Sequence, residues 1–217
     1  MKVIIYGTGK QAEFTHYLFA NDSSYDVVAF CLEQAFLPDR ETTFSGIPVI
    51  SLEEIIKDFS PSRYKMHIAI GDNNIREKMF ALVKSKGFTC VSYICSKAQT
   101  WNDLEIGENV FIDQASTVHP LVKINNNSSL IGASVGHHCR IGRNVLISGS
   151  SLAGNVTVGD NSFLGLNSSI KENVVIGYHN IIGVGAFIGH DTQDNAVFSD
   201  HCSRKRNISA DEIHLFR

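Results

Sequence analysis

The stretch IGASVGHHCRIGRNVLI, residues 131–147, carries an aliphatic residue at every sixth position: Val135, Ile141 and Ile147. The same frame continues on both sides through fifteen aliphatic positions, with only two slips of one residue. The positions are Ile106, Ile112, Val118, Ile124, Leu130, Val135, Ile141, Ile147, Leu152, Val158, Leu164, Ile170, Ile176, Ile182 and Ile188. A repeat of six residues held for so long predicts a parallel β-helix. We expect three short sides per coil, the aliphatic side chains inside, and small or polar residues at the corners.

The first part of the chain follows a different pattern, in which strand-like and helix-like segments alternate. The predicted strands are VIIY (3–6), DVVAFCL (26–32), MHIAIG (66–71) and FTCVSYI (88–94), with IPVIS (47–51) as a short extended piece. This alternation predicts a small parallel α/β sheet of Rossmann-like type. The expected domains are therefore an α/β domain over residues 1–97, a β-helix over 98–195 and a tail over 196–217.

Helix ends in the first domain have recognisable signals. Ser51 precedes LEEII, and Glu54 stands at the capping-box position. Asn73 or Asn74 is expected to cap the helix IREKMFALVKSKG, and Gly87 is expected to end it.

Composition excludes several classes of partner. The 217 residues carry a formal net charge of -3 without a long run of one sign, so no nucleic-acid-binding face is expected. The apolar run in MKVIIYGTGKQ breaks at Gly7, too early for a signal peptide, and no apolar stretch approaches a membrane span. A cytoplasmic protein is the expectation.

The five cysteines form no CxxC pair, which favours reduced structural thiols. They are Cys31, Cys90, Cys95, Cys139 and Cys202.

The loop after the first strand reads GTGKQA, residues 7–12, and fits G-x-G-x-x-G/A. Glycines at such a turn let the backbone approach a phosphate, and the helix N-terminus attracts its negative charge. Glu33 follows the second strand, where an acidic residue binds a ribose in dinucleotide sites. The domain is short for a full NAD-binding sheet of two halves, and a plain tight turn is the alternative.

The whole order of segments resembles a known family. IIYGTGKQA, VVAFCLE, IPVISLEEI, HIAIGDNNIREK and GFTCVSYICSKA, followed by the hexads, resemble the bacterial sugar acyltransferases of the NeuD/PglD type. That resemblance implies a Rossmann-like α/β domain followed by a left-handed β-helix, and a homotrimer with active sites between neighbouring β-helices. It also implies acetyl-CoA as co-substrate and a sugar nucleotide as the acceptor.

The resemblance also assigns catalytic residues. Residues 135–142, VGHHCRIG, align with the family pattern V-E-H-E-C-x-I-G. His137 falls on the catalytic histidine, a general base, and His138 replaces the glutamate that supports that base. A base of this kind needs its second nitrogen bonded to fix the tautomer, and His138, the Asn155 side chain or a backbone carbonyl are the candidates. Because the family transfers the acyl group directly, Cys139 is expected to have a packing role. The alternative is that both histidines are ordinary exposed residues.

Binding residues follow from the same alignment. The candidate substrate-binding residues are Gly7, Gly9, Lys10, Glu33, Asn74 and Arg76, with Lys10 expected near the diphosphate. The candidate acetyl-CoA-binding residues are Ser148, Gly154, Gly165, Gly183 and Gly185. For these glycines the alternative is that they turn corners, and for Asn74 and Arg76 the alternatives are helix capping and surface charge.

The function implied is N-acetylation of an amino group on a nucleotide-linked deoxyamino sugar. O-acetylation of a sialic acid type of sugar and a non-catalytic binding or scaffolding trimer are the alternatives. A zinc site of the γ-carbonic-anhydrase kind is a further alternative, with His119, His137, His138, His179 and His190 available. Since neighbouring strand residues point to opposite faces, His137 and His138 are not expected to share one metal.

Overall fold

The first domain packs helices against one twisted sheet. The structure, a computed structural model, describes residues 1–37 and 42–200. In chain order the elements are β1 (Lys2–Tyr6), α1 (Lys10–Asp22), β2 (Asp26–Leu32), a 3₁₀ helix (Gln34–Phe36), β3 (Thr42–Phe44), β4 (Ile47–Ser51), α2 (Leu52–Asp58), β5 (Tyr64–Ile68) and α3 (Asn73–Ser85). The predicted α/β class of this domain is confirmed.

The sheet has five strands in the order β3-β4-β2-β1-β5. The prediction of a purely parallel sheet was wrong at one edge, because β3 and β4 are antiparallel. They form a hairpin through Ser45 and Gly46, both with positive φ (51° and 78°). A two-residue loop of this kind matches the twist of antiparallel strands.

The helix ends largely follow their sequence signals. Ser51 and Glu54 form the predicted capping box at α2. At α3 the prediction was wrong by one residue, since Asp72 is the cap and its carboxylate accepts from the backbone N–H of Ile75. Gly87, with φ +84°, follows the end of α3 as expected.

The rest of the described chain is a stack of short strands. They are β6 (Tyr93–Ile94), β7 (Glu105–Ile106), β8 (Phe111–Ile112), β9 (Thr117–Val118), β10 (Lys123–Ile124), β11 (Ser129–Ile131), β12 (Ser134–Val135), β13 (Arg140–Ile141), β14 (Leu146–Ser148), β15 (Ser151–Leu152), β16 (Thr157–Val158), β17 (Phe163–Leu164), β18 (Ser169–Ile170), β19 (Val175–Ile176), β20 (Ile181–Ile182), β21 (Phe187–Ile188) and β22 (Val197–Phe198). They form three parallel sheets of five, seven and five strands, the faces of a left-handed β-helix.

The aliphatic frame fills the interior of this β-helix. Fourteen of its fifteen positions are buried, and Ile106, in the first coil, is partly buried. Each strand pairs with the strand one coil away in register, for example Val135 with Leu152. The predicted β-helix is confirmed.

The segment between the two domains departs from prediction. Residues 88–94 were expected to form a fourth strand of the α/β sheet, but they make only a single bridge there, between Met66 and Cys90. Beyond it the backbone changes partner, since the N–H of Tyr93 donates to the carbonyl of Val110. Tyr93–Ile94 therefore belongs to the β-helix sheet. The predicted domain limits at residues 97 and 195 stay predictions, and residues 201–217 of the expected tail lie outside the described residues.

Residues with positive φ recur in three columns along the corners of the β-helix. The first column is Asn109, Asn127, Asn144, Asn161, His179 and Asn195; the second is Gly132, Gly149, Asn167 and Gly185; the third is Leu121, His138, Asn155 and Asn173. Glycine and asparagine tolerate this conformation best. The expectation of small or polar corner residues therefore holds, with Leu121 as an exception.

Four buried asparagines of the first column form an asparagine ladder: Asn109, Asn127, Asn144 and Asn161. The side-chain NH₂ of each of the first three donates to the amide oxygen of the next asparagine at 2.8 Å. The ladder also bonds to the α/β domain, because Asn144 donates to the carbonyl of Asn73 at 2.8 Å. These bonds hold the two domains together.

The cysteines of the described residues are buried, as expected for structural thiols. Cys31, Cys90, Cys95 and Cys139 are buried and free, and Cys202 lies outside the described residues. No helix within residues 1–37 and 42–200 is long and apolar enough to cross a membrane.

Candidate active site at a corner of the β-helix

His137 and His138 lie in the corner between β12 and β13. His138 occupies the left-handed position of the third column, with φ +63°. The corner is held from both sides, since the N–H of His138 donates to the carbonyl of Pro120 at 3.2 Å and the N–H of Asn155 donates to the carbonyl of His137 at 2.8 Å. Both side chains are exposed, as the frame predicted.

The two imidazoles contact each other directly. Their Nδ1 atoms lie 3.0 Å apart, within hydrogen-bond distance. The ring centroids are 5.1 Å apart and the rings are nearly perpendicular, at 89°. The expectation that the two side chains point to opposite faces was therefore wrong, because the pair stands in a turn and not on a strand.

Gly154 forms the surface beneath His137, one coil further along. A Cβ atom built on Gly154 would stand 2.6 Å from Cε1 and 2.7 Å from Nε2 of His137, closer than real contacts allow. Gly154 was predicted as an acetyl-CoA contact, and its missing side chain also makes room for the imidazole. The Asn155 side chain, a predicted partner of His137, donates instead to Asn173 at 2.9 Å.

Cys139 is turned away from the histidines. Its thiol is buried and its Sγ donates to the carbonyl of Ala153 at 3.2 Å. Burial raises the pKa of the Cys139 thiol, so the reactive thiolate is disfavoured. The predicted packing role agrees with this placement.

A second concave region lies in the α/β domain, at the carboxyl ends of its strands. A cavity of about 470 Å³ is lined by Tyr6, Gly7, Thr8, Gly9, Leu32, Glu33, Phe36, Ala69, Ile70, Gly71, Ile75, Lys78 and Met79. Gly7, Gly9 and Glu33 are among the predicted substrate contacts. Gly7 has φ +118°, and a Cβ atom there would stand 2.9 Å from the carbonyl oxygen of Ala69. The tight turn therefore requires glycine whatever the ligand.

The other predicted substrate contacts do not line this cavity. Lys10 is exposed and its ammonium pairs with Glu13 at 2.7 Å, which raises the Lys10 pKa. Asn74 is exposed on the first turn of α3. Lys78 lines the cavity although the sequence analysis did not select it. Its spacing of three from Ile75 puts both residues on one face of α3, but neither residue carries a motif that would have selected it.

Arg76 has another role. Its side chain is 1% exposed, and its Nε donates to the carbonyl of Asn127 at 3.2 Å. Its terminal nitrogens donate to the carbonyls of Ile70, Gly71 and Asn144 and to Asn73 Oδ1. Burial lowers its pKa to about 10, which still leaves the side chain charged. A guanidinium so fully bonded joins the two domains, and this placement argues against the predicted contact with substrate.

The candidate acetyl-CoA contacts lie on the later coils. Gly165 and Gly183 leave no free space for a side chain, because an added Cβ would stand 3.0 Å from the carbonyl oxygen of Ile182 and 2.9 Å from that of Phe198. Coil stacking alone therefore accounts for these two glycines. Ser148 is half-buried at the end of β14, and Gly185 is a corner residue with φ +75° that lines a cavity of about 490 Å³.

The alternative of a zinc site lacks a full set of ligands among the described residues. Two imidazole nitrogens meet at the corner, but residues 1–37 and 42–200 contain no group of three or more His, Cys, Asp or Glu side chains placed to hold a metal ion.

Comparisons with known proteins show the same architecture elsewhere. Residues 2–83 match the family described as the PglD N-terminal domain. The acetyltransferase domain of PglB from Neisseria gonorrhoeae has a TM-score of 0.81 at 23% identity, covering 90% of this chain and 95% of that chain. PerB from Caulobacter crescentus, solved with CoA and GDP-perosamine, has a TM-score of 0.79 at 25% identity, covering 91% of this chain and 93% of that chain.

Similarity in sequence alone is more limited. An acyl-[acyl-carrier-protein]–UDP-N-acetylglucosamine O-acyltransferase of Burkholderia orbicola is 30% identical over 94 residues, which are 38% of this chain and 36% of that protein. The chain thus spans about a third of the length of this curated relative.

Proposed function

We propose that this chain, which is of the NeuD/PglD type in fold and in its N-terminal domain, is an acetyl-CoA-dependent N-acetyltransferase of a nucleotide-linked deoxyamino sugar. The similarity to PerB supports the proposal, because that structure carries both CoA and an amino sugar on a nucleotide and matches over 91% of this chain. The observation that carries it furthest is the exposed imidazole of His137, held at a β-helix corner by a bond to its Nδ1.

Transfer of an acetyl group to an amine requires a base near the attacking nitrogen. The substrate amine attacks the thioester carbonyl, the N–C bond forms and the C–S bond breaks. His137 Nε2 takes the proton that the amine loses and passes it to the CoA sulfur as the C–S bond breaks, so the products are the amide and free CoA thiol. Nδ1 of His137 is occupied by its contact with His138, so Nε2 is the nitrogen proposed to take the proton. A general base of this kind typically contributes a factor of about 10² to 10⁴.

The sugar nucleotide is proposed to bind in the cavity of the α/β domain. Its volume of about 470 Å³ lies in the range of small-molecule sites. Gly9 is the N-cap residue of the 13-residue helix α1, so the helix N-terminus faces the glycine turn and attracts a phosphate. Glu33 is placed to accept from ribose hydroxyls, and Lys78 adds a cation to the lining. Lys10 and Asn74 stay proposals at the rim, and Arg76 is not included.

Acetyl-CoA is proposed to lie along the later coils. Gly154 packs against the His137 imidazole, so an acetyl-CoA molecule in contact with Gly154 would lie beside the proposed base. Ser148, Gly165, Gly183 and Gly185 extend the same proposal toward the last coils. The proposed homotrimer fits exposed apolar side chains there, since Val184, Phe187 and Val197 are each more than 60% exposed.

A thiol-release assay tests the proposal. The purified full chain is mixed with acetyl-CoA and a panel of UDP-, dTDP-, GDP- and CMP-linked amino sugars, and free CoA is followed over time. Release with one amino sugar, with formation of the N-acetylated product by mass spectrometry, is the expected result. Release only with hydroxyl acceptors would replace N-acetylation by O-acetylation. Binding of both ligands without turnover would replace the enzyme by a binding or scaffolding protein.

A further inference from the structure

Leu121 is the exception among the corner residues of the β-helix. Its φ of +66° is a left-handed conformation that glycine and asparagine tolerate and that strains other residues. Asn155 and Asn173 occupy the same column of corners in later coils. The Leu121 side chain is 59% exposed, so burial in the fold offsets little of this strain. Strain that packing does not offset is found at residues with a binding or catalytic role.

Trp101 is a second exposed apolar side chain on the same edge of the β-helix. The segments 99–105 and 117–123 pair at both ends, so the residues between them run level from one coil to the next. Trp101 is therefore level with His119, two residues before Leu121. Its side chain is 59% exposed, and it is the only tryptophan in the sequence. We call Trp101 and Leu121 the corner patch.

The corner patch leads up to the proposed base. The backbone N–H of His138 donates to the carbonyl of Pro120 at 3.2 Å, so Leu121 lies one coil before His138. Neighbouring strands of a sheet are about 4.8 Å apart, which puts Leu121 roughly 5 Å and Trp101 roughly 10 Å from the histidine corner along the β-helix. A hexose bound beside His137 and extending along this corner would contact both members of the patch.

The proposed position of acetyl-CoA assigns a side of His137 to the acceptor. Nε2 of His137 has to reach both the attacking nitrogen and the CoA sulfur, so the two substrates meet at this atom. The donor is proposed to lie along the coils that follow His137, beginning at Gly154. The coils before His137 are then left for the acceptor, and they carry the corner patch.

We propose that Trp101 and Leu121 bind the ring of the acceptor sugar. The inference rests on the proposed function. A hexose presents C–H groups on its faces and hydroxyl groups at its edge, so it suits an aromatic surface bordered by polar groups. The indole of Trp101 supplies that surface, and the polar side chains of Asn102, Asp103 and His119 are exposed next to the patch.

The single tryptophan makes the contact measurable without turnover. The emission of Trp101 is followed while the full chain is titrated with the UDP-, dTDP-, GDP- and CMP-linked amino sugars, and calorimetry measures their binding. We expect the sugar nucleotide that binds to change the emission, and the matching free nucleotide to bind without changing it. Unchanged emission on binding, or an equal change with the free nucleotide, would overturn the inference alone. If no member of the panel bound, the proposed function would fail together with it.

Leu121→Asn separates sugar binding from folding. Asparagine at this corner relieves the strained backbone, so we expect the urea midpoint to rise by about 0.5 M. Loss of the apolar contact is expected to raise KM for the sugar nucleotide about tenfold, with kcat and KM for acetyl-CoA unchanged. His179→Asn is the matched control, since His179 has φ +51° on another corner, and it is expected to keep both KM values. An unchanged KM for the sugar nucleotide in Leu121→Asn would overturn the inference.

A second copy of the chain is the competing occupant of the corner patch. Trp101→Leu is expected to raise KM for the sugar nucleotide about tenfold and to leave the sedimentation coefficient unchanged. Tyr17→Leu, at an exposed aromatic residue of α1, is the control and is expected to change neither. Dissociation of the assembly in Leu121→Asn or Trp101→Leu, measured by sedimentation velocity, would overturn the inference and assign the patch to contacts between copies.

Discussion

His137 lies directly over Gly154 in the next coil of the β-helix, so closely that a Cβ atom on Gly154 would come within 2.6 Å of the imidazole. The position of the proposed base is therefore set by a residue that carries no side chain at all. Glycine is needed at this point for the close approach, since Gly154 is absent from the residues with positive φ.

Gly154→Ala is predicted to displace the His137 imidazole and lower kcat, because the added methyl group occupies the ring's place. We expect a loss approaching the factor of about 10² to 10⁴ that a general base supplies. Steady-state thiol release measures it. Gly159→Ala is the matched control, because its Cβ would meet the carbonyl oxygen of Gly177 at 2.5 Å, an equally tight contact that does not involve His137 or His138. A similar loss in both variants would mean that general distortion of the coils is responsible.

His137→Asn is predicted to lower kcat by about 10² to 10⁴ while acetyl-CoA binding is retained. The physical reason is loss of the nitrogen that takes the amine proton. Calorimetry for acetyl-CoA and thiol release for turnover measure the two effects. His179→Asn is the control, since His179 is another exposed corner histidine with positive φ, bonded to Asn195 at 3.1 Å. A loss below tenfold in His137→Asn would place the base elsewhere.

Arg76→Met is predicted to destabilise the protein without changing sugar-nucleotide affinity in the folded fraction. The change leaves the buried carbonyls of Asn127 and Asn144 without their bonds to Arg76, at about 1–3 kcal/mol for each, and urea unfolding measures the sum. Lys78→Met is the converse variant. Because Lys78 lines the cavity, we expect this change to weaken nucleotide binding and to leave the free energy of unfolding nearly unchanged. If Arg76→Met weakened binding as Lys78→Met does, the original assignment of Arg76 to the substrate would return.

Stability is predicted to fall as the pH is lowered through the range governed by His67. This imidazole is buried between Phe19 and Phe111, and its Nδ1 bonds to the carbonyl of Val91 at 2.9 Å. Burial lowers its pKa to about 4. The unfolded chain therefore binds a proton first, near pH 6.5, and the folded chain only near pH 4. The contribution of neutral His67 to the free energy of unfolding is complete above about pH 6.5. It is lost progressively as the pH falls from about 6.5 to about 4, and no further loss is expected below about pH 4.

Urea unfolding at several pH values between 4 and 7.5 tests this assignment. His67→Asn is the matched variant, because its amide retains a donor for Val91 but does not titrate. It is expected to be less stable at neutral pH, since the ring packing is lost, and to show a shallower dependence on pH. An unchanged slope in this variant would assign the acid sensitivity to other groups.

The fold could be predicted from sequence because its main signal is local. An inward aliphatic residue such as Val135 recurs every sixth position, and each short side of a coil needs only that one residue to be buried. The corners carry a second signal in the sequence. Asn109, Asn127, Asn144 and Asn161 recur once per coil, and asparagine tolerates positive φ better than most residues.

The edges of the α/β domain were harder to predict. Residues 88–94 have the composition of a buried strand, yet Tyr93 and Ile94 pair with the β-helix. The composition of a strand indicates that it is buried, but it does not indicate which strand it pairs with. The sequence pattern therefore does not distinguish the α/β sheet from the β-helix sheet. The burial of Arg76 was missed for a related reason, since a charged residue after a strand is expected at the surface.

The sequence by itself determined the order of the two domains, the β-helix and the corner that holds His137 and His138, because these follow from periods of a few residues. Only the tertiary structure decided which residues meet across coils and domains: His137 over Gly154, and Arg76 against the carbonyls of Asn127 and Asn144. These contacts depend on the register of stacked coils and on how the domains dock. Both are set by packing and hydrogen bonds between distant segments, which no local pattern records.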